Sequence, residues 1–591
     1  AVLDGGVPIV LANRVGYQTM PSIVAVTESG RELVGHMAKR QAVTNSEATI
    51  HGAKRLIGRR FSSPQVQRMR ETVAYEIVEG PHDDPRIRIR GRVYSVPEIS
   101  AKVLREVKLA AEDYLGEQVE KAVVTVPAYF NDGQRQATKD AGIIAGLDVV
   151  QILNEPTSAA LAYGFGKRID RTLAVYDLGG GTFDISIMEI SSSGVFKVIA
   201  TAGDTFLGGD DFDQRIIDWL VVDFQTQTGI DLHGDRMATQ RIKDAAETAK
   251  CGLSSEEQVE INLPFLISKG REAVHLQKTI LRVELEELTT DLVERTIGLC
   301  AATLDEAGLG IDEIEDVLLV GGMTRMPLVR RSVEAFFGQA PQLRIDPDLA
   351  VAMGAAVQGA ALTDHSLDMV LLDVTPHCMG ITVAGGWMEE IIPQNSTVPI
   401  ERTKRFNTTR DNQTAVKILV VQGESRRAEE NDLIGQFELA GLRRAPAGQV
   451  ELDVSFVIDM DGILSVEAKN LETGALQSIQ ITASSGLTSE ELLIMGDEAR
   501  EHEVARKTDE AFEKVRQEAE AILDQIEELR PRVEGAVAKA DFGSAAVSDA
   551  LRAAANVRTL LEQGDAARIT EELPALNRTL RLFRGVALSP G

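Results

Sequence analysis

The chain of 591 residues is too long for one hydrophobic core, so we expect about two to four domains. Its 62 Lys and Arg residues against 90 Asp and Glu residues give a net charge of −28. Such a charge argues against a broad nucleic-acid or anionic-membrane surface, and an aromatic content of 4% also disfavours base stacking.

The cysteines and the apolar segments limit the cellular setting. Cys251, Cys300 and Cys378 are far apart and match no metal-binding spacing, which favours a reducing, cytoplasmic compartment. The Ala- and Gly-rich segment 350–363 is too short to cross a bilayer and predicts a buried helix. A signal peptide is not expected, because Asp4 stands where such a peptide carries basic residues.

Up to about residue 365, strand-like and helix-like segments alternate. Residues 121–127 predict a buried strand ended by proline, and 131–146 predict a helix capped by Asn131 or Asp132. Residues 317–320 predict another buried strand. The alternation is typical of α/β architecture with a central sheet.

The segment Asp177–Asp184 predicts a β-hairpin with three glycines at its tip. Glycines at a tip let backbone N–H groups approach a phosphate chain closely. Thr182 adds a hydroxyl, and Asp177 and Asp184 add carboxylates suited to a hydrated Mg²⁺. A plain glycine hairpin is the alternative for the glycines taken alone.

Two further glycine turns support a nucleotide site. Gly208 and Gly209 open an acidic helix, and Gly321 and Gly322 follow a buried strand. Three such turns favour a nucleotide held between the lobes of an open sheet, and no P-loop motif is present.

Two groups of charged residues remain ambiguous from the residues alone. Glu247 and Lys250 share a helix face with Ser254 one turn further, and could hold a nucleoside. A solvated ion pair between Glu247 and Lys250 is the alternative. Lys54 lies in a basic cluster that could equally be a solvated face.

The pattern of predicted secondary structure changes after residue 365. Residues 369–373 form an apolar run ending in an acid, which alone could be a core strand. Residues 375–485 predict an antiparallel sandwich, and from 487 onward charged amphipathic helices begin near Thr488.

Seven motifs together resemble the 70-kilodalton heat-shock chaperone family, and closely its bacterial DnaK-type branch. These motifs are Ala53–Gly58, Val126–Asp132, Asn154–Ala160, Asp177–Asp184, Val320–Pro327, Leu371–Pro376 and Asp459–Leu464. The resemblance implies a multidomain chain: an α/β actin-like ATPase domain (1–365), a linker (366–375), an all-β sandwich that binds peptides (376–486) and an α-helical lid (487–591). It also implies an ATPase that acts as an ATP-dependent chaperone in protein folding and the stress response, with nucleotide allosterically controlling peptide affinity.

The resemblance implies roles for individual residues. Lys54 would orient the attacking water, while Glu155, Asp177 and Thr182 would line the γ-phosphate, with Asp177 holding Mg²⁺ through water. The residues implied in binding ATP or ADP are Gly179, Gly180, Gly181, Thr182, Gly208, Gly209, Glu247, Lys250, Ser254, Gly321, Gly322, Arg325 and Asp348.

Further residues would couple the domains and bind peptide. Pro127 and Arg135 match the family's switch pair, and Leu371, Leu372 and Asp373 match a linker that docks in one state only. The positions implied to line the peptide cleft are Ile381, Ala384, Phe406, Thr409, Val416 and Ile418.

The resemblance also implies partners: unfolded polypeptide clients, a J-domain co-chaperone and a nucleotide exchange factor. Gln151 stands where the branch usually carries an arginine that meets J-domain partners, which favours a dedicated partner. At the arch over the cleft, the branch typically has a bulky Met and a small Ala, whereas this chain has Ala384 and Thr409. The larger side chain is therefore on the other side of the cleft, which should alter peptide preference. A general folding role and a specialised one, such as iron–sulfur cluster assembly, both stay open.

One departure motivates an alternative function. The chain begins at Ala1, after the family's first phosphate loop, so we expect weak nucleotide binding and impaired hydrolysis. A truncated gene model or fragment is favoured over a naturally inactive variant, and a passive peptide-binding holdase is the alternative function. A sugar kinase or filament-forming relative is disfavoured, because those proteins lack the linker, sandwich and lid.

Overall fold

The computed structural model describes residues 1–232, 235–269, 272–363, 369–480, 487–537, 544–563 and 566–588. Two compact units divide the chain, Ala1–Met495 and Gly496–Gly591. The domain limits predicted at 365–366 and at 486 lie outside the described residues.

The first part of the chain forms small sheets and three helices. Its elements are β1 (Val2–Asp4), β2 (Val7–Ile9), β3 (Val24–Val26), β4 (Glu32–Val34), α1 (His36–Arg40), β5 (Thr49–Ile50), α2 (Pro64–Thr72), β6 (Glu76–Glu79), β7 (Pro85–Ile89), β8 (Arg92–Ser95) and α3 (Val96–Leu115). Short 3₁₀ turns lie at Ser46–Ala48 and Ala53–Arg55.

Alternating strands and helices follow, as the sequence predicts. They are β9 (Lys121–Val126), α4 (Asp132–Ile144), β10 (Asp148–Asn154), α5 (Glu155–Gly164), β11 (Arg171–Leu178), β12 (Phe183–Ile190), β13 (Val195–Asp204), α6 (Gly209–Thr228), α7 (Arg236–Gly252), β14 (Gln258–Lys269), β15 (Glu272–Leu281), α8 (Arg282–Ala307), β16 (Asp316–Val320), α9 (Pro327–Phe337) and α10 (Ala350–Thr363). Two more 3₁₀ turns lie at Ile311–Glu313 and Gly322–Arg325.

Local sequence explains where α4 begins. The side chain of Asn131 accepts a hydrogen bond from Gln134 N (3.0 Å), and Gln134 Oε1 accepts one from Asn131 N (3.1 Å). This reciprocal cap satisfies two backbone donors that the helix itself leaves free. The predicted strand ahead of it ends at Val126, immediately before Pro127.

A six-stranded sheet forms the centre of the first unit, in the order β16-β11-β12-β13-β17-β20. In this sheet, β17 spans Val370–Val374 and β20 spans Thr397–Val398. β11, β12 and β13 are antiparallel, whereas β16 and β17 run parallel to their neighbours β11 and β13. The apolar run 369–373 is therefore mostly a strand of this sheet, with Phe196 opposite Leu371.

The predicted sandwich consists of two four-stranded antiparallel sheets, in the orders β19-β18-β22-β23 and β21-β24-β25-β26. Its strands are β18 (Met379–Val383), β19 (Trp387–Ile392), β21 (Ile400–Asn407), β22 (Ala415–Gln422), β23 (Asp432–Ala440), β24 (Glu451–Ile458), β25 (Leu464–Asn470) and β26 (Leu476–Gln480). Its core includes the fully buried Phe456 and Leu464. A 3₁₀ turn at Ala428–Glu430 precedes β23.

The residues described after 488 form three helices, α11 (Ser489–Val537), α12 (Ser544–Gln563) and α13 (Ala566–Leu588). Thr488 caps α11 as predicted, since its Oγ1 accepts a hydrogen bond from Glu491 N (3.2 Å). In the second unit, Val557, Leu576 and Phe583 are buried in a core between helices. Within the described ranges, no helix has the length and apolar character needed to span a membrane.

Candidate functional site

The first two glycine turns pack directly against each other. Gly209 N donates to Gly179 O (3.0 Å), and Asp210 N donates to Gly180 O (2.8 Å). A Cβ on Gly208 would lie 2.6 Å from Gly181 N, a distance that real Cβ atoms do not tolerate. Glycine is therefore required at this contact, and the two turns present a continuous backbone surface.

The third turn lies beside them because β16 pairs in parallel with β11, with Val320 opposite Asp177. Gly321 has φ +84°, and a Cβ there would lie 2.3 Å from Leu178 O. At the end of the same turn, Arg325 pairs with Asp346 (2.6 Å) and Asp348 (2.8 Å). The structure thus brings together all three turns that the sequence singles out.

A cluster of charged groups lies at the same edge. Glu155 is the first residue of α5, and its Oε1 accepts a hydrogen bond from Lys54 Nζ at 2.6 Å. Asp177 and Asp184 face each other as cross-strand partners, and both are buried. Lys54 therefore pairs with a carboxylate, while its side chain stays 47% exposed.

The electrostatics of this cluster follow from burial and from its excess of carboxylates. Burial, then Glu155 and the facing carboxylate, hold the pKa of Asp177 well above its usual range. Burial and Glu155 also raise the pKa of Asp184 to about 7. Burial lowers the pKa of Lys54, but the attraction of Glu155, Asp177 and Asp184 outweighs it and raises that pKa.

These carboxylates fit a hydrated divalent cation. Asp184 Oδ1 accepts a hydrogen bond from Tyr129 N (3.0 Å), while its buried Oδ2 has no hydrogen-bond partner. In the part of the chain that the structure describes, no three His, Cys, Asp or Glu side chains converge as a direct metal site. Carboxylate oxygens are ligands that Mg²⁺ prefers, and Mg²⁺ usually keeps several of its waters, so these side chains fit a hydrated Mg²⁺.

Two of the residues predicted to hold the nucleoside, Glu247 and Lys250, lie on α7, and their ion pairs differ from the simplest expectation. Glu247 accepts hydrogen bonds from Lys39 Nζ at 2.7 Å, and Lys250 pairs with Asp213 at 2.8 Å. A solvated pair between Glu247 and Lys250 is therefore the wrong interpretation. Ser254 lies just beyond the end of α7.

Sequence reasoning missed Arg55, which donates a hydrogen bond to the backbone of the glycine turn at Gly181. Its Nε donates to Gly181 O (3.1 Å), its Nη2 pairs with Asp211 (2.5 Å), and its guanidinium lies 5.2 Å from the centroid of the Phe206 ring. In the sequence, Arg55 is one of several neighbouring cations, and nothing local distinguishes it from a solvated one.

Arg135 lies at the junction with the sandwich and is 4% exposed. It donates to Asn154 Oδ1 (2.7 Å), to Ala128 O (3.1 Å) next to the buried Pro127, and to Asp461 O (3.5 Å) in the sandwich. The predicted switch pair thus lies where a change in the nucleotide domain could reach the sandwich.

The linker strand is tied to the same region. Leu371 packs against a core cluster of the central sheet, and Leu372 lies opposite Lys197 of β13. Asp373 accepts a hydrogen bond from Thr157 Oγ1 (3.1 Å) on α5, and burial raises its pKa. The linker strand β17 therefore contacts both β13 of the central sheet and the helix that begins at Glu155.

Polar contacts dock the sandwich onto α4 and β10. Asp461 accepts hydrogen bonds from Lys139 Nζ (2.5 Å) and from Ile152 N (2.9 Å). Asp132 Oδ1 accepts one from Leu464 N (2.6 Å). Sequence reasoning offered Asp132 only as a candidate helix cap and assigned no docking role to Asp132, Lys139 or Asp461, because polar residues of a turn and a helix start look solvated.

The residues predicted to line a peptide cleft belong to the sandwich. The structure brings its apolar members together in or against one core cluster: Ile381, Phe406, Val416 and Ile418. Ala384 and Thr409, predicted to arch over the cleft, are exposed and lie beyond the ends of β18 and β21.

The fold and the site define a nucleotide-binding α/β domain joined by a linker strand to a β-sandwich, with helices at the carboxyl end. The family model for Hsp70 protein matches residues 1–585, and the chain belongs to this family. The predicted architecture of actin-like ATPase domain, β-sandwich and helical lid is confirmed. Members of this family are ATP-dependent chaperones that bind nucleotide with Mg²⁺.

Proposed function

We propose that this chain is a chaperone in which ATP binding and hydrolysis set the affinity of the sandwich for extended apolar peptides. The observation that carries this proposal is the linker strand β17, which pairs with β13 of the central sheet and whose Asp373 accepts a hydrogen bond from Thr157 on the helix that begins at Glu155. The sandwich contacts Arg135 and Lys139 of the same domain. Two domains joined in this way can exchange between a docked and a released state.

We propose that the chain accelerates hydrolysis by positioning the attacking water and by stabilising the charge on the phosphates. Lys54, held by Glu155, orients the attacking water, and the Thr182 hydroxyl faces the γ-phosphate. When bound, Mg²⁺ would neutralise phosphate oxygens, and Asp177 would hold its water shell. Backbone N–H groups at Gly180 and Gly181 donate to the phosphates, whereas those of Gly179, Gly208 and Gly209 are already bonded within the protein.

The proposed partners are unfolded polypeptide clients, a J-domain co-chaperone and a nucleotide exchange factor. Gln151 is buried and its Oε1 accepts a hydrogen bond from Gln358 Nε2 (2.8 Å). An amide in this position presents no cation to an acidic partner motif, which favours a dedicated J-domain protein.

The test is ATP-triggered release of a fluorescent apolar peptide from this chain. We expect the peptide to bind without ATP and to leave faster after ATP and Mg²⁺ are added. Val416→Phe, which fills the proposed cleft, should weaken binding, while Val457→Phe at an exposed position of β24 should not. Stable binding without any response to ATP would support a passive peptide holder instead.

A further inference from the structure

A histidine and a lysine meet across the candidate nucleotide cleft. His51 follows β5 on one wall, and Lys243 lies on α7 of the opposite wall. Both ring nitrogens of His51 lie 3.4 Å from Lys243 Nζ. Two ion pairs cross the cleft nearby, Lys39 with Glu247 and Arg55 with Asp211, so the contact is made when the walls are together.

The ring of His51 is held in a fixed surrounding. Tyr75 packs edge-on against it, with centroids 5.6 Å apart and planes at 75°, and the Tyr75 hydroxyl donates to His51 O (2.5 Å). In the described part of the chain, the hydrogen-bond contacts of the ring are to Lys243 alone.

The remaining charges act on Lys243 more than on His51. Burial lowers the pKa of Lys243, and the carboxylates that act against burial and stabilise its ammonium are Asp210, Asp213, Asp244 and Glu247. Glu247 is paired with Lys39, and Asp213 is paired with Lys250. The group that faces the His51 ring directly is therefore a cation.

Only a neutral imidazole suits this position, because it accepts a hydrogen bond from the ammonium. A protonated ring would place two cations within 3.4 Å of each other. Burial, then Lys243, lower the pKa of His51 to about 3 in the closed cleft. With the walls apart, the ring would regain the ordinary histidine pKa of about 6.5.

We propose that His51 and Lys243 form a proton-sensitive latch, so that the cleft opens and releases nucleotide faster as the pH falls below neutrality. The inference rests on the proposed nucleotide site. The sign follows from linkage: the open state binds a proton that the closed state excludes, so acid favours opening. Well above pH 6.5 the ring is neutral in both states, and pH no longer shifts the balance between them.

The first test measures release of a fluorescent ADP analogue from the loaded chain between pH 5.5 and 7.5. We expect release from the wild type to be about tenfold faster at pH 5.5, one unit below the open-state pKa. His51→Phe keeps a ring but cannot be protonated, and its release rate should depend little on pH. His82→Gln, at an exposed histidine of the same part of the chain, should keep the wild-type response. An equal pH response in His51→Phe would overturn the proposal.

The second test needs no nucleotide and follows the His51 ring by NMR during a pH titration. We expect the wild-type ring to titrate below the ordinary histidine pKa of about 6.5 and the ring of Lys243→Met to titrate at a higher pH than the wild type. Titration near 6.5 in both proteins would overturn the latch. Failure to retain the ADP analogue at pH 7.5 would overturn the proposed nucleotide site, while the titration would still decide the latch.

Discussion

Lys54 and Glu155 form the shortest polar contact between the turn at Ala53–Arg55 and the start of α5. The pair leaves the Lys54 ammonium directed by one carboxylate and attracted by two more, Asp177 and Asp184. A cation fixed in this way can stabilise charge that develops during phosphoryl transfer without reorganising.

Lys54→Ala should slow single-turnover ATP hydrolysis by about a hundredfold or more, the usual cost of removing one preorganised donor. Thr182→Ala should also slow hydrolysis, and neither change should abolish peptide binding, because the cleft lies in the sandwich. The matched control is Lys102→Ala, which removes the Lys102–Glu32 pair (2.5 Å) outside the site and should leave the rate unchanged. Unchanged hydrolysis in both Lys54→Ala and Thr182→Ala would contradict these assignments.

Single residues differ in how far the sequence predicts them. Asp177 and Thr182 stand in a glycine-rich hairpin, so a short motif suffices to indicate their chemistry. Arg55 and Asp461 act through partners distant in sequence, Asp211 and Ile152, and a single sequence does not contain that pairing. The role of such a residue is decided by tertiary contacts.

Helices and strands also differ in how far the sequence predicts them, according to whether nearby or distant residues determine them. The start of α4 is predictable because its cap lies within four consecutive residues. The pairing of β17 with β13 is not, because it depends on two segments far apart in the chain. An apolar run such as 369–373 suits a core strand and a docking linker equally well.

Leu371→Asp should separate nucleotide binding from peptide release. Leu371 packs against the core of the central sheet, and losing its burial costs on the order of 2 kcal/mol of docking free energy. We expect peptide binding to persist and ATP-triggered release to slow. Val370→Asp is the matched control, since Val370 is 52% exposed on the same strand and should release peptide normally. Equal release rates in the two variants would show that this strand does not carry the coupling.

In the first unit, the docking surface between the nucleotide domain and the sandwich is polar and partly ionisable. Asp132 and Arg135 are both buried there, with Leu464 N and Asp461 O as their sandwich partners. Burying such groups costs free energy unless each is fully paired, and Asp132 Oδ2 has no hydrogen-bond partner. The unpaired Asp132 Oδ2 therefore lowers the stability of the docked state, which suits a contact that must be released.

Docking of the sandwich should weaken as the pH rises through neutrality, because of Asp132. Burial raises the pKa of Asp132 to about 7, although Leu464 N and Arg135 act to lower it. In the undocked chain the carboxyl regains an ordinary value of about 3.9, so docking takes up a proton between these two values. The stabilising contribution is present in full below about pH 4 and is lost as the pH rises through about 7.

Asp132→Asn tests this origin of the pH dependence. The amide keeps an acceptor for Leu464 N but carries no charge, so the docked fraction should be nearly constant between pH 5 and 8. The measurement is energy transfer between dyes on the nucleotide domain and the sandwich. Asp453→Asn, at a carboxylate paired with Arg405 within the sandwich, should keep the wild-type slope. A wild-type slope that persists in Asp132→Asn would assign the titration to another group at this interface.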